Sequence, residues 1–175
     1  MKSAIFLMLA LFAAFAHADN AILFSPRLPK PWTVLSSQTV PGTNNETHES
    51  FTANRTVVQD ATNLTMMMIS VAPATPSQLT NNLALEARNW VDAVLNTFAE
   101  NHNFAITRLV IKNEDKKTFA ETAFTIQLQD ATLFGISRYS TVETNAIGWV
   151  AFGRSNAIET NKVVLSIAES VRIRK

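Results

Sequence analysis

The chain contains no cysteine, so no thiol nucleophile is available and the fold stands without disulfides. A domain of roughly 150 residues buries enough of its unfolded-chain surface to manage without them. A cysteine-free exported chain points to a bacterial periplasm rather than a eukaryotic secretory route. Glycine is scarce, with only Gly42, Gly135, Gly148 and Gly153 in 175 residues. They form no phosphate-cradling loop and no G-x-S-x-G nucleophile elbow. Histidine is rarer still, with three in all. After residue 18 only His48 and His102 remain, so a Ser/His/Asp triad would have to use one of them. His48 lies in Glu46-Thr47-His48-Glu49, where a strand would put Glu46 and His48 on one face and Glu49 on the other. Two ligands on one strand fall short of the three or four that zinc takes. His102 follows a helical run and is expected to be a capping or surface residue.

One long apolar run is present, and it lies at the N-terminus. Lys2 precedes an apolar stretch from Ala4 to Phe15, and Ala16-His17-Ala18 supplies the small-x-small pattern before Asp19. These are the three parts of a cleavable signal peptide, residues 1–18. The run is shorter than the roughly 20 residues that span a bilayer. No cysteine follows it, so no lipid tether is expected. No transmembrane segment is expected after cleavage. Removing Lys2 from the 15 basic residues leaves 14 against 14 acidic ones. A balanced chain has no general affinity for nucleic acid or anionic lipid. Arg172, Arg174 and Lys175 form the one basic cluster and read as a solvated tail.

Residues 19–32 form a proline-rich arm with Pro26, Pro29 and Pro31, extended in character and expected to be anchored by Trp32. Residues 33–175 read as a single α+β domain. Thr33 to Val40, Glu46 to Val58 and Leu64 to Val71 read as strands. In the last, Met66 and Met68 point one way, and Met67, Ile69 and Val71 the other. A strand apolar on both sides must be covered on both.

A helix is predicted from Pro76 to about Glu100, with Thr75 as N-cap, Pro76 at the first helical position and Gln78 completing a capping box. Leu79, Leu83, Ala87, Trp90, Val91, Val94, Leu95 and Phe98 form its apolar stripe. Four strands follow, over 104–111, 118–129, 132–142 and 147–152, joined by turns short enough to require antiparallel neighbours. A second helix is predicted over 157–171, capped by Asn156, with Val163, Val164, Ile167, Ala168 and Val171 inward. The expected architecture is α+β: a mainly antiparallel sheet of six to seven strands with an amphipathic helix on each face, an α/β/α sandwich.

Pro31-Trp32 ahead of the first strand, the helix Leu79 to Phe98, and the closing Val164-Leu165-Ser166-Ile167-Ala168-Glu169-Ser170-Val171 carry a resemblance. In this order they resemble the PsbP-like fold and, within it, the bacterial DcrB-type periplasmic proteins. The resemblance implies a small accessory or binding protein without catalysis, and it assigns no functional residue.

The functional reading is by exclusion. No enzyme, cofactor or metal is expected. The first reading is a periplasmic binding or accessory protein that recognises another protein, either an envelope component or, as an immunity protein or inhibitor, an incoming toxin. The alternative is a carrier of a small apolar ligand held between helix and sheet, with Met66-Met67-Met68 and nearby aromatics lining the pocket. Trp149 and Phe152 fall on opposite faces of the last strand, so one of them is a candidate exposed aromatic. Together with Tyr139 and Arg138 on the adjoining strand they make the candidate partner surface.

Overall fold

The computed structural model describes residues 28–43, 50–80, 82–98, 103–114 and 117–171. The expected signal peptide, most of the expected arm, His48, His102 and the basic C-terminal cluster lie outside these residues. Among the described residues seven strands are found: β1 (Thr33–Thr43), β2 (Ser50–Asp60), β3 (Thr65–Pro73), β4 (Asn103–Glu114), β5 (Lys117–Gln127), β6 (Thr132–Val142) and β7 (Asn145–Gly153). They form one antiparallel sheet in the order β1-β2-β3-β7-β6-β5-β4. Two meanders thus meet at a central β3–β7 seam, where Met66 lies across from Phe152 and Met68 across from Val150. At the β2–β3 turn, the Asp60 carboxylate accepts the backbone N–H groups of Thr62 and Asn63.

The predicted first helix is two helices, α1 (Pro76–Thr80) and α2 (Leu83–Phe98). Thr75 caps α1 as predicted: its Oγ1 accepts from the Gln78 N–H, while Gln78 Oε1 accepts from the Thr75 N–H. Asn82 then caps α2, its Oδ1 accepting from the Ala84 N–H at 2.9 Å. An asparagine side chain competes for backbone N–H groups and favours a helix start over a helix interior. Leu79 consequently leaves the core stripe and is 46% exposed.

The second predicted helix is also divided, into a 3₁₀ turn (Asn156–Thr160) and α3 (Lys162–Glu169). The predicted cap Asn156 is not the cap. Ser155 caps the 3₁₀ turn and Asn161 caps α3 through bonds from the Val163 and Val164 N–H groups. Val163, predicted inward, is exposed, whereas Val164 and Ile167 are buried.

Helical segments pack on both faces of the sheet. On one, α2 sets Val91, Val94 and Leu95 against Met66, Met68, Val150 and Phe152. On the other, α3 and the 3₁₀ turn set Val164, Ile167 and Ile158 against Met67, Ile69, Val71 and Trp149, with Trp32 closing the cluster. The split of the methionine strand follows the predicted alternation. Burying such side chains contributes ~1.5–3 kcal/mol each. Among the described residues no helix is long and apolar enough to cross a membrane.

Candidate functional site

β7 is last in sequence but fourth across the sheet, so both its faces are covered. Trp149 is therefore buried under the α3 side and Phe152 under the α2 side, at 6% and 4% exposure. Tyr139 is buried as well. The three aromatics named as a partner surface are core residues, and Arg138 is the member of that group whose surroundings lead outward.

The cluster beneath α3 takes nothing from β4 or β5. On that part of the same sheet face the side chains are charged. Arg138 on β6 pairs in register with Trp149 on β7 and with Glu121 on β5. Glu121 in turn lies across from Val110 on β4, with Arg108 and Lys112 two residues to either side of it. Strand alternation brings all these side chains to one face.

Glu121 is 2% exposed. Its Oε1 accepts from Lys112 Nζ at 2.8 Å and from Arg108 Nη2 at 3.3 Å, and its Oε2 accepts from Arg138 Nε at 2.9 Å. Arg138 Nη1 also lies 3.7 Å from Glu114 Oε2. The Arg138 guanidinium stacks on Phe119, 4.3 Å from the ring centroid, and stands 5.8 Å from that of Trp149. Arg138 is thus held flat by aromatic contact and by the carboxylate together. Arg108 and Lys112 lie towards solvent, their side chains 41% and 35% exposed.

Burial alone would push the Glu121 carboxyl up. Hydrogen bonds from Lys112 and Arg138, reinforced by their charges, outweigh it and hold the group below the ordinary carboxyl range. A carboxylate held low is a poor proton acceptor near neutral pH, so this geometry is unsuited to general base chemistry. Among the described residues, Arg108, Lys112 and Arg138 surround Glu121, and Arg138 also reaches the half-exposed Glu114.

On the α2 face, Trp90 lies flat on Gly148, and its ring centroid is 6.2 Å from that of Tyr139. Burial, with a contribution from the charge of Glu86, pushes the Tyr139 hydroxyl up to about 12. That hydroxyl has no hydrogen-bond partner among the described residues. Phe124 covers Gly135 in the same way that Trp90 covers Gly148. Met66, Met67 and Met68 are all core residues. Among the described residues no group of three or more His, Cys, Asp or Glu is placed to hold a metal ion.

Sequence reasoning missed Glu121, Arg108 and Lys112. The local signal for Glu121 was an acid spaced two residues from Phe119 on one side and from Ala123 on the other, all on one strand face. The cations that answer it come from two other strands and required the register.

The fold is similar to that of cyanobacterial PsbP (CyanoP) from Synechocystis sp. PCC 6803, known from a solution structure. The two superpose with a TM-score of 0.58 over 90% of this chain and 91% of that chain, at 9% sequence identity. No family sequence model matches the chain, and no curated protein matches it in sequence. The architecture is PsbP-like α+β, as the element order implied.

Proposed function

We propose that this chain is an exported, non-catalytic accessory protein that acts by recognising another protein. One observation carries the reading: the charged face around Glu121, with Arg108 and Lys112 partly exposed, in the part of the sheet where α3 contributes no cover. Exposed cations around a pre-formed carboxylate hub favour an acidic partner and exclude basic ones. The residue 1–18 pattern, cut between Ala18 and Asp19, places this work in the periplasm or outside the cell on this reading. A DcrB-type envelope factor and an immunity protein or inhibitor of a toxin both fit such a surface. The carrier alternative has less support, because Trp90 on Gly148 and Phe124 on Gly135 occupy the layer between α2 and the sheet where a ligand would lie.

The test is site-specific photo-crosslinking in the producing cell, from the full chain with its own leader. Probes are placed at exposed positions on three elements: Leu85 on α2, Ser37 on β1 and Ile111 on β4. The reading expects a mature N-terminus at Asp19 and one recurring crosslinked protein that rebinds stoichiometrically when purified. Absence of any specific adduct at all three positions would sink it. A toxin encoded beside the gene and rebound in vitro would select the immunity reading over the envelope one.

A further inference from the structure

α2 runs over β4, β5 and β6, and reaches the seam through Trp90, whose indole lies on Gly148. From Gly148 the register continues away from the helix. Ser70 on β3 lies across from Gly148, Arg55 on β2 across from Ser70, and Gln38 on β1 across from Arg55. Residues paired directly across strands share a sheet face. Gln38, Arg55 and Ser70 therefore form a polar row that starts beside the indole, and all three are half-buried. Strand alternation puts apolar residues to either side of the row, Val57 and Met68 on one flank and Ala53 on the other.

Arg55 is a cation of a different kind from Arg138, which has Glu121 to answer it. The Arg55 Nε is buried and has no hydrogen-bond partner among the described residues. Burial pushes the guanidinium down from its ordinary value, and no neighbouring charge offsets it. On β1, β2 and β3 the one acid is Asp60, five residues along β2 and on the opposite face. A cation that has lost water without gaining a partner costs free energy, which an incoming anion offsets. The planar guanidinium fork matches a carboxylate, and one positive charge answers one negative charge. The Gln38 amide and the Ser70 hydroxyl add neutral donors on either side. The apolar flanks and the indole suit a ligand whose remaining body is apolar.

We propose that this face of the sheet binds a small organic monocarboxylate, with its carboxylate on Arg55 between Gln38 and Ser70 and its apolar body against Trp90. The site is independent of the recognition reading, because Arg55 shares a face with Val57 and α2, whereas the charges around Glu121 lie on the α3 side. It also differs from the carrier alternative, whose ligand would lie beneath α2 and not beside it.

The experiment follows the Arg55 Nε–H, the Trp90 indole N–H and the backbone amides of the mature chain by nuclear magnetic resonance. Octanoate, octanamide or a blocked glutamate-containing peptide is added to millimolar concentration. Octanoate is expected to shift the Arg55 and Trp90 signals and to bind roughly tenfold more tightly than octanamide, since charge-assisted hydrogen bonds separate the two. The blocked peptide is expected to shift Arg55 less than octanoate does. Arg55→Gln should abolish the preference for octanoate and keep the parent's stability in urea, because Nε bonds nothing among the described residues. The comparison of octanoate with octanamide uses the parent chain, so it decides the matter even where the variant folds poorly. Equal binding of the two, octanoate shifts confined to the face around Glu121, no shift at Arg55, or full octanoate affinity in a folded Arg55→Gln would each overturn the proposal. A peptide that binds at Arg55 more tightly than octanoate would overturn the small-ligand assignment and make the row a contact for a partner's acidic side chain.

Discussion

Glu121 is the residue on which the charged face turns. Its carboxylate is buried yet bonded by three cations, so removing the charge leaves Arg108, Lys112 and Arg138 facing one another. Hydrogen bonds to charged groups contribute about 1.5–3 kcal/mol each, and loss of one partner of a buried ion pair costs about 3–5 kcal/mol. Glu121→Gln keeps the shape and one acceptor, so we expect a loss of about 2–3 kcal/mol at pH 7, measured by urea unfolding. The pH dependence follows from the direction of the shift. The folded carboxyl titrates below its unfolded value, about 4.3, so the unfolded chain binds more protons as pH falls. The stabilisation is present above that value and is lost as pH falls through the folded one. The gap between wild type and Glu121→Gln should therefore narrow steadily below about pH 4.3. A gap that stays constant down to the acid limit would mean the carboxylate contributes no charge-dependent stability.

At the scale of elements, α2 seats on the sheet because β7 offers it a glycine. A Cβ at Gly148 would lie 2.5 Å from the Trp90 ring, with the indole as the obstacle. Gly148→Ala should thus lift Trp90 and with it the middle of α2, at a cost of about 1–3 kcal/mol. Thermal unfolding gives the cost, and a changed tryptophan near-ultraviolet signal shows its cause. An unchanged signal with full stability would mean that α2 sits loosely. This contact was invisible in the sequence, where Gly148 is only a glycine between Ile147 and Trp149. The strands were legible, since alternation separated Met66 and Met68 from Met67, Ile69 and Val71. The helix break was not. Leu79 and Leu83 are spaced as on one continuous face, so periodicity runs straight through the cap at Asn82. The same holds at Asn161, whose capping of α3 interrupts a run whose apolar spacing continues. Trp149 and Phe152 were placed correctly on opposite faces. Their burial depended on β7 inserting mid-sheet, which no local pattern records.

The whole molecule is two antiparallel meanders held by one pairing of residues remote in the chain, β3 with β7. That seam is covered on both sides. Met68 and Val150 pack under α2, while Met67 and Ala151 pack under α3. Neither meander can shield both its faces once the seam opens, because the core cluster on each face joins residues from strands of both halves. The halves should therefore unfold together. Met68→Ala deletes a buried side chain at the seam and should cost about 2–5 kcal/mol. The three tryptophans sample both faces, Trp90 from α2 and Trp32 and Trp149 from the α3 side. Tryptophan fluorescence and far-ultraviolet circular dichroism in urea should then give coincident curves for the parent chain, and Met68→Ala should shift both midpoints equally. Two separate transitions, or a shift in one probe alone, would mean the meanders are independent folding units. In that case, the charged face on β4, β5 and β6 would not depend on the first three strands at all.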